Sequence, residues 1–211
     1  MNNINNSNEF LLNNVVYLRG RISKPPIYSH HVFGEGFYET VLEIGRLSEQ
    51  TDMVPITVSD RLMEENALKE GQEISVTGQF RSYNKIVDGR SKLMLTVFVR
   101  EFVKEDNEFT ANQVDLTGYV CKEPIFRTTP FKREIADLLI AVNRTYGKSD
   151  YIPCIAWGRN AKYAKGLAVG TRIKLSGRIQ SRTYQKVLED GLTEMRTAYE
   201  VSVSRIEEAA E

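Results

Sequence analysis

The sequence predicts an all-β chain made of two similar small barrels in tandem. Three observations support this: an internal repeat, apolar residues that alternate as in strands, and one short helical segment in each copy. Gly20 matches Gly118 and Pro26 matches Pro124, both at a spacing of 98 residues. Later glycines keep the same order at a spacing of 99. Since a solenoid repeat is shorter than this, the spacing indicates two duplicated domains.

Five strands are predicted in each copy, with a helix between the third and the fourth. In the second copy, apolar and more polar residues alternate over 114–120, 138–142, 152–156, 173–175 and 199–203. The helix is predicted over 160–166, and over 60–71 in the first copy with Asp60 as its cap. This order is typical of the OB-fold, a five-stranded Greek-key barrel that holds oligonucleotides across one face. An SH3-like barrel fits the strand count, but the helix position disfavours it.

The predicted boundaries are a flexible leader at 1–13, the first barrel at 14–108, the second at 109–206 and a short acidic tail at 207–211. The leader is rich in asparagine and lacks the basic and apolar regions of a secretion signal. No stretch approaches the roughly 18 apolar residues of a membrane span. Cys121 and Cys154 lie in apolar contexts, which predicts buried thiols in a reducing, cytoplasmic compartment.

A net charge of zero hides a division between the two halves. Residues 1–110 hold 12 Lys and Arg against 16 Asp and Glu, whereas residues 111–211 hold 16 against 12. Phosphate binding needs local positive charge rather than a basic total. The sequence therefore predicts that any contact with nucleic acid lies in the second barrel. His30 and His31 are adjacent and lack a third ligand at a suitable spacing, so no metal site is expected.

Several motifs of the second copy follow one another in a family-like order. They are Arg127-Thr128-Thr129-Pro130, Asp150-Tyr151-Ile152-Pro153, Ala156-Trp157-Gly158-Arg159 and Gly177-Arg178-Ile179-Gln180. Across about 90 residues this copy resembles the bacterial single-stranded DNA-binding proteins. The resemblance implies OB-folds that work as a unit of four barrels, and hence a homodimer of this two-barrel chain.

The resemblance also places the base-stacking side chains at Tyr146, Tyr151, Trp157 and Tyr184. An aromatic face accepts any base, so several of them suit a binder that tolerates any sequence. Basic residues that can meet phosphates or stack on bases lie between them. They are Arg127, Arg144, Lys148, Arg159, Lys162, Arg178, Arg182 and Lys186. In the alternative interpretation Tyr151 and Trp157 belong to the core and the cations form an ordinary solvated face.

The first copy departs from this pattern. Ser48 and Met53 stand opposite Tyr146 and Tyr151, and only Tyr83 lies near the position of Tyr184. The first barrel is therefore expected to serve packing or oligomerisation, with at most a residual contact on its hairpin.

These features predict a protein that binds single-stranded DNA with little sequence preference, in replication, recombination or repair. The choice between DNA and RNA is left open, because stacking and phosphate contacts serve both. The alternative is an assembly factor similar to primosomal replication protein N, acting mainly through protein contacts. Replication or repair proteins are possible partners, although the family's acidic recruiting tip is missing from the sequence. No enzyme and no cofactor are expected, because no convergent acid, base or nucleophile, P-loop or zinc spacing occurs. A nucleoid-associated location follows.

Overall fold

The computed structural model describes residues 12–87, 89–104, 110–187 and 191–210, which form two barrels. Barrel 1 contains six strands and one helix. They are β1 (Asn14–Ile22), β2 (Ile27–Val32), β3 (Glu35–Gly45), β4 (Thr51–Ser59), α1 (Asp60–Asn66), β5 (Glu73–Val87) and β6 (Arg90–Phe102).

Barrel 2 repeats this plan. It contains β7 (Asn112–Val120), β8 (Ile125–Thr128), β9 (Glu134–Asn143), a 3-10 turn (Thr145–Gly147), β10 (Ser149–Trp157), α2 (Arg159–Ala164), β11 (Arg172–Val187) and β12 (Thr193–Glu208). β12 thus includes Glu207 and Glu208, which the sequence assigned to a tail.

Each barrel is a closed Greek key. In barrel 1 the strand order is β2-β3-β4-β6-β5-β1, and a pairing between β1 and β3 closes it; barrel 2 closes in the same way through β7 and β9. The fourth strand runs parallel to the last one in both barrels, β4 beside β6 and β10 beside β12. The prediction of tandem OB-folds is confirmed.

The sequence missed one strand in each barrel. β2 and β8 are short strands at the two ends of the sheet, where they pair with β3 and β9. All six residues of β2 are exposed. Periodicity cannot mark such a strand, because neither of its faces is buried.

The helices lie where they were expected but are shorter. α1 ends at Asn66, and its cap is Ser59 rather than Asp60, since the Ser59 hydroxyl accepts the backbone N–H of Leu62 at 3.5 Å. The side chain of Leu62 is buried against the barrel. No helix in the described residues is long and apolar enough to span a membrane.

The repeated glycines lie where two strands approach closely. A Cβ atom on Gly20 would lie 2.5 Å from the carbonyl oxygen of Glu43, and one on Gly118 would lie 2.5 Å from that of Ala141. Both contacts join the first strand of a barrel to its third. Only glycine fits there, which explains why both copies keep it.

β1 and β7 pair antiparallel and join the barrels into one twelve-stranded sheet. Val16 of β1 lies opposite Val114 of β7, its own counterpart in the repeat, and both side chains are buried. Asn14 lies opposite Leu116, and Leu18 lies opposite Asn112. The barrels are therefore related by a local two-fold axis, as in an isologous dimer interface.

A cluster of polar groups supports one side of this junction. The buried carboxylate of Asp150 binds Arg144 of its own barrel and accepts the backbone N–H of Ser82 in barrel 1 at 2.6 Å. The hydroxyl of Ser82 accepts the backbone N–H of Tyr151 at 2.7 Å. Arg144 also donates to the carbonyl oxygen of Ser82 at 2.9 Å, so the guanidinium links the two barrels.

The other side of the junction carries the equivalent cluster. The buried Asp52 binds Arg46 of its own barrel and accepts the backbone N–H of Ser181 in barrel 2 at 2.9 Å. The hydroxyl of Ser181 accepts the backbone N–H of Met53 at 2.9 Å. Here a second cation, Arg178 of barrel 2, joins the carboxylate at 2.7 Å. Both carboxylates are thus neutralised and hydrogen-bonded, which buried charges require.

Candidate nucleic-acid interface

β10 carries two aromatic side chains on its outer face. Ile152, Cys154 and Ala156 point into the barrel and are buried, whereas Tyr151 is 47% exposed and Trp157 is 37% exposed. The six residue steps from Tyr151 to Trp157 span about 20 Å along a strand. Both rings therefore lie on the surface, and the alternative that makes them core residues does not fit the structure.

A cleft lies beside Trp157, and most of the charged residues that line it are cations. Its described walls hold five arginines and one acidic residue, Glu200, together with small polar side chains such as Thr183. The arginines are Arg46, Arg127, Arg133, Arg178 and Arg182. An arginine-rich cleft with an aromatic wall can hold a phosphate chain and stack a base at the same time.

Two basic residues of this surface, one in the cleft and one on α2, already face carboxylates. Arg127 donates to Asp137 at 2.8 Å, and this hydrogen bond raises the pKa of the guanidinium. Lys162 of α2 lies 3.0 Å from Glu134. Exposed ion pairs of this kind contribute only about 0–1 kcal/mol. An incoming phosphate can therefore displace or share them at small cost.

Tyr146 stands on the turn between β9 and β10 and is 98% exposed. Its backbone is left-handed, with φ of 62°, which is uncommon for a residue other than glycine. The backbone N–H of Arg144 donates to the carbonyl oxygen of Lys148 at 2.7 Å and closes the turn. The turn thus projects an aromatic ring beside the exposed Lys148, in a conformation that the sequence tolerates only with strain.

Tyr184 lies on the β11–β12 hairpin, next to two basic side chains. It is 38% exposed, and the Arg182 guanidinium sits 5.8 Å from the centre of its ring. Lys186 is exposed two residues further along the strand. Arg159 and Lys162 lie on α2, immediately after Trp157, and are also exposed. The structure thus keeps most of the predicted set on the surface of barrel 2.

Two predicted phosphate contacts have another role. Arg144 and Arg178 bind the buried carboxylates Asp150 and Asp52 at the junction. The sequence could not show this, because a partner of each arginine comes from the other barrel, more than 60 residues away: the carbonyl oxygen of Ser82 for Arg144 and the carboxylate of Asp52 for Arg178.

Two cleft residues were missed. Arg133 follows Thr129-Pro130, where its charge was visible but its direction was not, and Arg46 comes from barrel 1. Arg46 reaches the cleft because its aspartate partner, Asp52, lies on the junction. Part of the candidate interface therefore belongs to the barrel that was expected to stand apart.

Of the two cysteines predicted to be buried, one is buried and one is partly exposed. Cys154 is buried, and burial raises the pKa of its thiol. Cys121 is only half-buried and donates to the carbonyl oxygen of Leu139 at 3.0 Å. Among the described residues no group of three or more His, Cys, Asp or Glu side chains could hold a metal ion.

OB-folds with outward aromatic rings beside a basic groove occur among proteins that bind single-stranded nucleic acid. The single-strand binding protein family model matches residues 111–208. Single-stranded DNA-binding protein B of Bacillus subtilis is 34% identical over 88 residues, which cover 38% of this chain and 76% of that protein. This chain belongs to the single-strand binding protein family.

Other relatives cover less of their own length. Single-stranded DNA-binding protein 2 of Listeria innocua is 36% identical over 81 residues, which cover 35% of this chain and 51% of that protein. The chain thus spans about half the length of the first curated relatives that it matches.

Two solved structures are also similar. Wild-type single-stranded DNA-binding protein from Thermus aquaticus superposes with a TM-score of 0.70 at 23% identity and covers 94% of this chain and 93% of its own, which supports the two-barrel fold. The dimeric N-terminal domain of PriB from Thermoanaerobacter tencongensis is 43% identical over 44% of this chain and 99% of its own. Its TM-score of 0.38 is too low to support an argument.

Proposed function

We propose that this chain binds single-stranded DNA with little sequence preference, mainly through the outer face of barrel 2. The observation that carries the proposal is the exposure of Tyr151 and Trp157 on one strand beside the arginine-lined cleft. Each stacked base contributes roughly 1–3 kcal/mol whatever its identity, and the arginines neutralise the phosphates between stacked bases. The chemistry is that of binding, since the proposal requires no bond to be made or broken.

The experiment that tests it is a titration with oligo-dT, followed by the fluorescence of Trp157, the single tryptophan of the chain. A base stacked on the indole should quench its emission. The variants at position 157 contain no tryptophan, so their binding is followed by the fluorescence anisotropy of dye-labelled oligo-dT. Replacing Trp157 with alanine should weaken binding about tenfold or more, as loss of one stacked ring does. Trp157→Phe keeps an aromatic face and should restore most of the affinity.

Thermal unfolding of the same variants separates binding from stability. A core tryptophan replaced by alanine would lower stability by about 3–5 kcal/mol, whereas a surface ring should change it far less. Unchanged emission with oligo-dT, together with a large loss of stability in Trp157→Ala, would overturn the assignment of Trp157 to the interface.

We further infer that two chains assemble into a homodimer with four barrels. The resemblance of barrel 2 to a family that works with four barrels supports this, as does the two-barrel build of the chain. Light scattering at micromolar concentration should give twice the 24.1 kDa of one chain. A monomeric mass would contradict the inference.

The biological setting that fits this activity is DNA replication, recombination or repair in the cytoplasm, at the nucleoid. A free thiol that is buried, as in Cys154, suits a reducing compartment. The surface of barrel 2 favours this reading over an assembly factor that acts through protein contacts alone. Oligo-U in place of oligo-dT tests the choice of sugar, since only the 2′-hydroxyl and the base methyl group differ.

A further inference from the structure

Two arginines of barrel 1 converge on a single neutral acceptor. Arg81 of β5 and Arg100 of β6 both donate to Oε1 of Gln79, at 2.8 Å and 3.0 Å. Their guanidinium carbons lie 4.2 Å and 5.8 Å from the centre of the Phe98 ring. One amide oxygen cannot neutralise two cations, so this pair remains short of negative charge.

The environment of Arg81 strengthens this point. The side chain is half-buried, and its Nε has no hydrogen-bond partner among the described residues. Burial, followed by the nearby charges of Arg144 and Arg100, lowers the pKa of Arg81 to about 10. A bound anion would oppose both effects, because a nearby negative charge favours the cationic form of Arg81.

One carboxylate, Asp150, faces the same pocket, and its bonds are already made. It binds Arg144 and accepts the backbone N–H of Ser82 at the junction. The described walls of the pocket therefore carry three guanidiniums against one carboxylate. Amide and hydroxyl groups complete the lining, at Asn13, Asn14, Gln79, Asn143 and Thr145. The amide groups of Asn13 and Asn14 already donate to backbone carbonyls, so the guanidiniums are the groups that can bind a ligand, and their excess positive charge is suited to an oxyanion.

The pocket belongs to both barrels and lies beside a predicted stacking residue. Asn143, Arg144 and Thr145 line it and lead directly into Tyr146, whose ring is 98% exposed. In the repeat, barrel 2 carries Gln180 at the position of Arg81. The excess charge is thus specific to the barrel 1 side of the junction.

We propose that this junction pocket, formed by Arg81, Arg100 and Arg144, binds a phosphate group. Its occupant is a phosphodiester of the single strand whose neighbouring base stacks on Tyr146. The DNA part rests on the proposed function, and it extends the path of the strand from barrel 2 onto barrel 1.

The test uses two variants of the full chain, Arg81→Gln and Arg100→Gln. Glutamine already stands at the equivalent position in barrel 2, so Arg81→Gln suits the local backbone. Arg81→Gln also removes the hydrogen bond to Gln79 and the contact with the Phe98 ring, so its melting temperature in chloride is the reference for its own phosphate measurement. Arg100 is exposed and provides a second variant that removes one cation without disturbing the core. Lys69→Gln is the control, because it removes an exposed cation far from the pocket. Lys69 lies near Gly71, whose backbone N–H donates to Ile22 at the end of β1, whereas the pocket lies at the start of β1.

The first measurement is thermal unfolding in inorganic phosphate against chloride at equal ionic strength. Phosphate should raise the melting temperature of the wild type and of Lys69→Gln, and the increase should be lost in the two arginine variants. The second is the salt dependence of oligo-dT binding. Its slope should fall by about 0.7 for each arginine removed and stay unchanged in Lys69→Gln.

The outcomes separate the possible occupants. If the phosphate effect is lost and the slope is unchanged, the pocket holds a free anion, and the DNA part of the proposal is overturned. If phosphate does not stabilise the wild type and both variants keep its slope, the whole proposal is overturned. Weaker binding by Trp157→Ala would then still support the proposed function. If the wild type fails to bind oligo-dT, the proposed function fails, and the phosphate melts alone decide whether the pocket binds an anion.

Discussion

The two barrels share one backbone plan and differ in the strand that crosses the outer face. β4 of barrel 1 carries Met53 and Ser59 where β10 of barrel 2 carries Tyr151 and Trp157. Ser59 is buried and caps α1, whereas Trp157 is exposed beside the cleft. The inward positions of both strands remain apolar and buried. The difference teaches that packing and the interface use separate sets of positions, so one changes while the other is kept.

The tyrosines on the two long hairpins differ in the charge of the side chain nearest to them. Tyr83 of barrel 1 is 39% exposed and Tyr184 of barrel 2 is 38% exposed, so the two rings are equally accessible. The hydroxyl of Tyr83 donates to Glu39 at 3.5 Å, and burial and this carboxylate together raise the pKa of the phenol. Arg182 lies over the ring of Tyr184 instead. The ring of Tyr83 therefore has a carboxylate as its polar neighbour, whereas the ring of Tyr184 has a cation.

The largest effect is expected where the barrels are alike. Asp150→Asn and Asp52→Asn each leave arginines at the junction without their buried carboxylate, which should lower the free energy of unfolding by about 3–5 kcal/mol. Urea unfolding measures this. Asp137→Asn removes a surface partner of Arg127 and should change stability by less than about 1 kcal/mol. Equal, small losses in all three would show that the two clusters do not stabilise the junction.

The glycines test whether both barrels close under the same constraint. Gly20→Ala and Gly118→Ala should each lower stability by about 1–3 kcal/mol, because the added methyl group meets a backbone carbonyl. Gly45→Ala is the reference, since no atom of the described residues lies within 4 Å of the position that its methyl group would take. A loss in one barrel only would show that the closures differ. Thermal and urea unfolding provide the comparison.

The hairpin tyrosines test the difference in charge at equal exposure. Tyr184→Ala should weaken oligo-dT binding by about 1–3 kcal/mol, the contribution of one stacked base. Tyr83→Ala, with its acidic neighbour, should leave the affinity nearly unchanged. Fluorescence titration with the two variants measures both. Equal losses would mean that barrel 1 stacks bases as barrel 2 does.

The smallest effect concerns one pair of equivalent positions with opposite charge. Arg133 of barrel 2 stands where barrel 1 has Glu35. Arg133→Gln should reduce the slope of log affinity against log salt by about 0.7, the value for one phosphate contact on a single strand. Glu35→Gln should leave this slope as it is. A change of equal size in both variants would indicate long-range charge rather than contact.

Five strands of each barrel and the helix positions were predictable from the sequence, because each produces a local signal; whether Tyr151 and Trp157 face the solvent or the core was left open. Alternation along β10 placed Tyr151 and Trp157 on one face, and the repeat spacing fixed two barrels. The edge strand β2 produced no alternation, since both of its faces are exposed.

The partners of the arginines were not predictable. Arg144 and Lys148 look equally suited to phosphate in the sequence, but one binds a buried carboxylate while the other is exposed. That choice depends on Ser82, which is distant in sequence and belongs to the other barrel. Long-range polar pairing of this kind has no signature in spacing or composition.

The pairing of β1 with β7 also determines how the protein behaves on dilution. If two separate single-barrel chains met through this symmetric junction, their association would depend on concentration, and a dilute solution would contain isolated barrels. Here both halves lie on one polypeptide, and a short tether supplies an effective concentration in the millimolar range. The junction is then kept at any protein concentration. Each chain also contains one copy of each barrel, so the junction within a chain always joins barrel 1 to barrel 2. The two barrels can therefore acquire different surfaces without two identical barrels pairing at this junction.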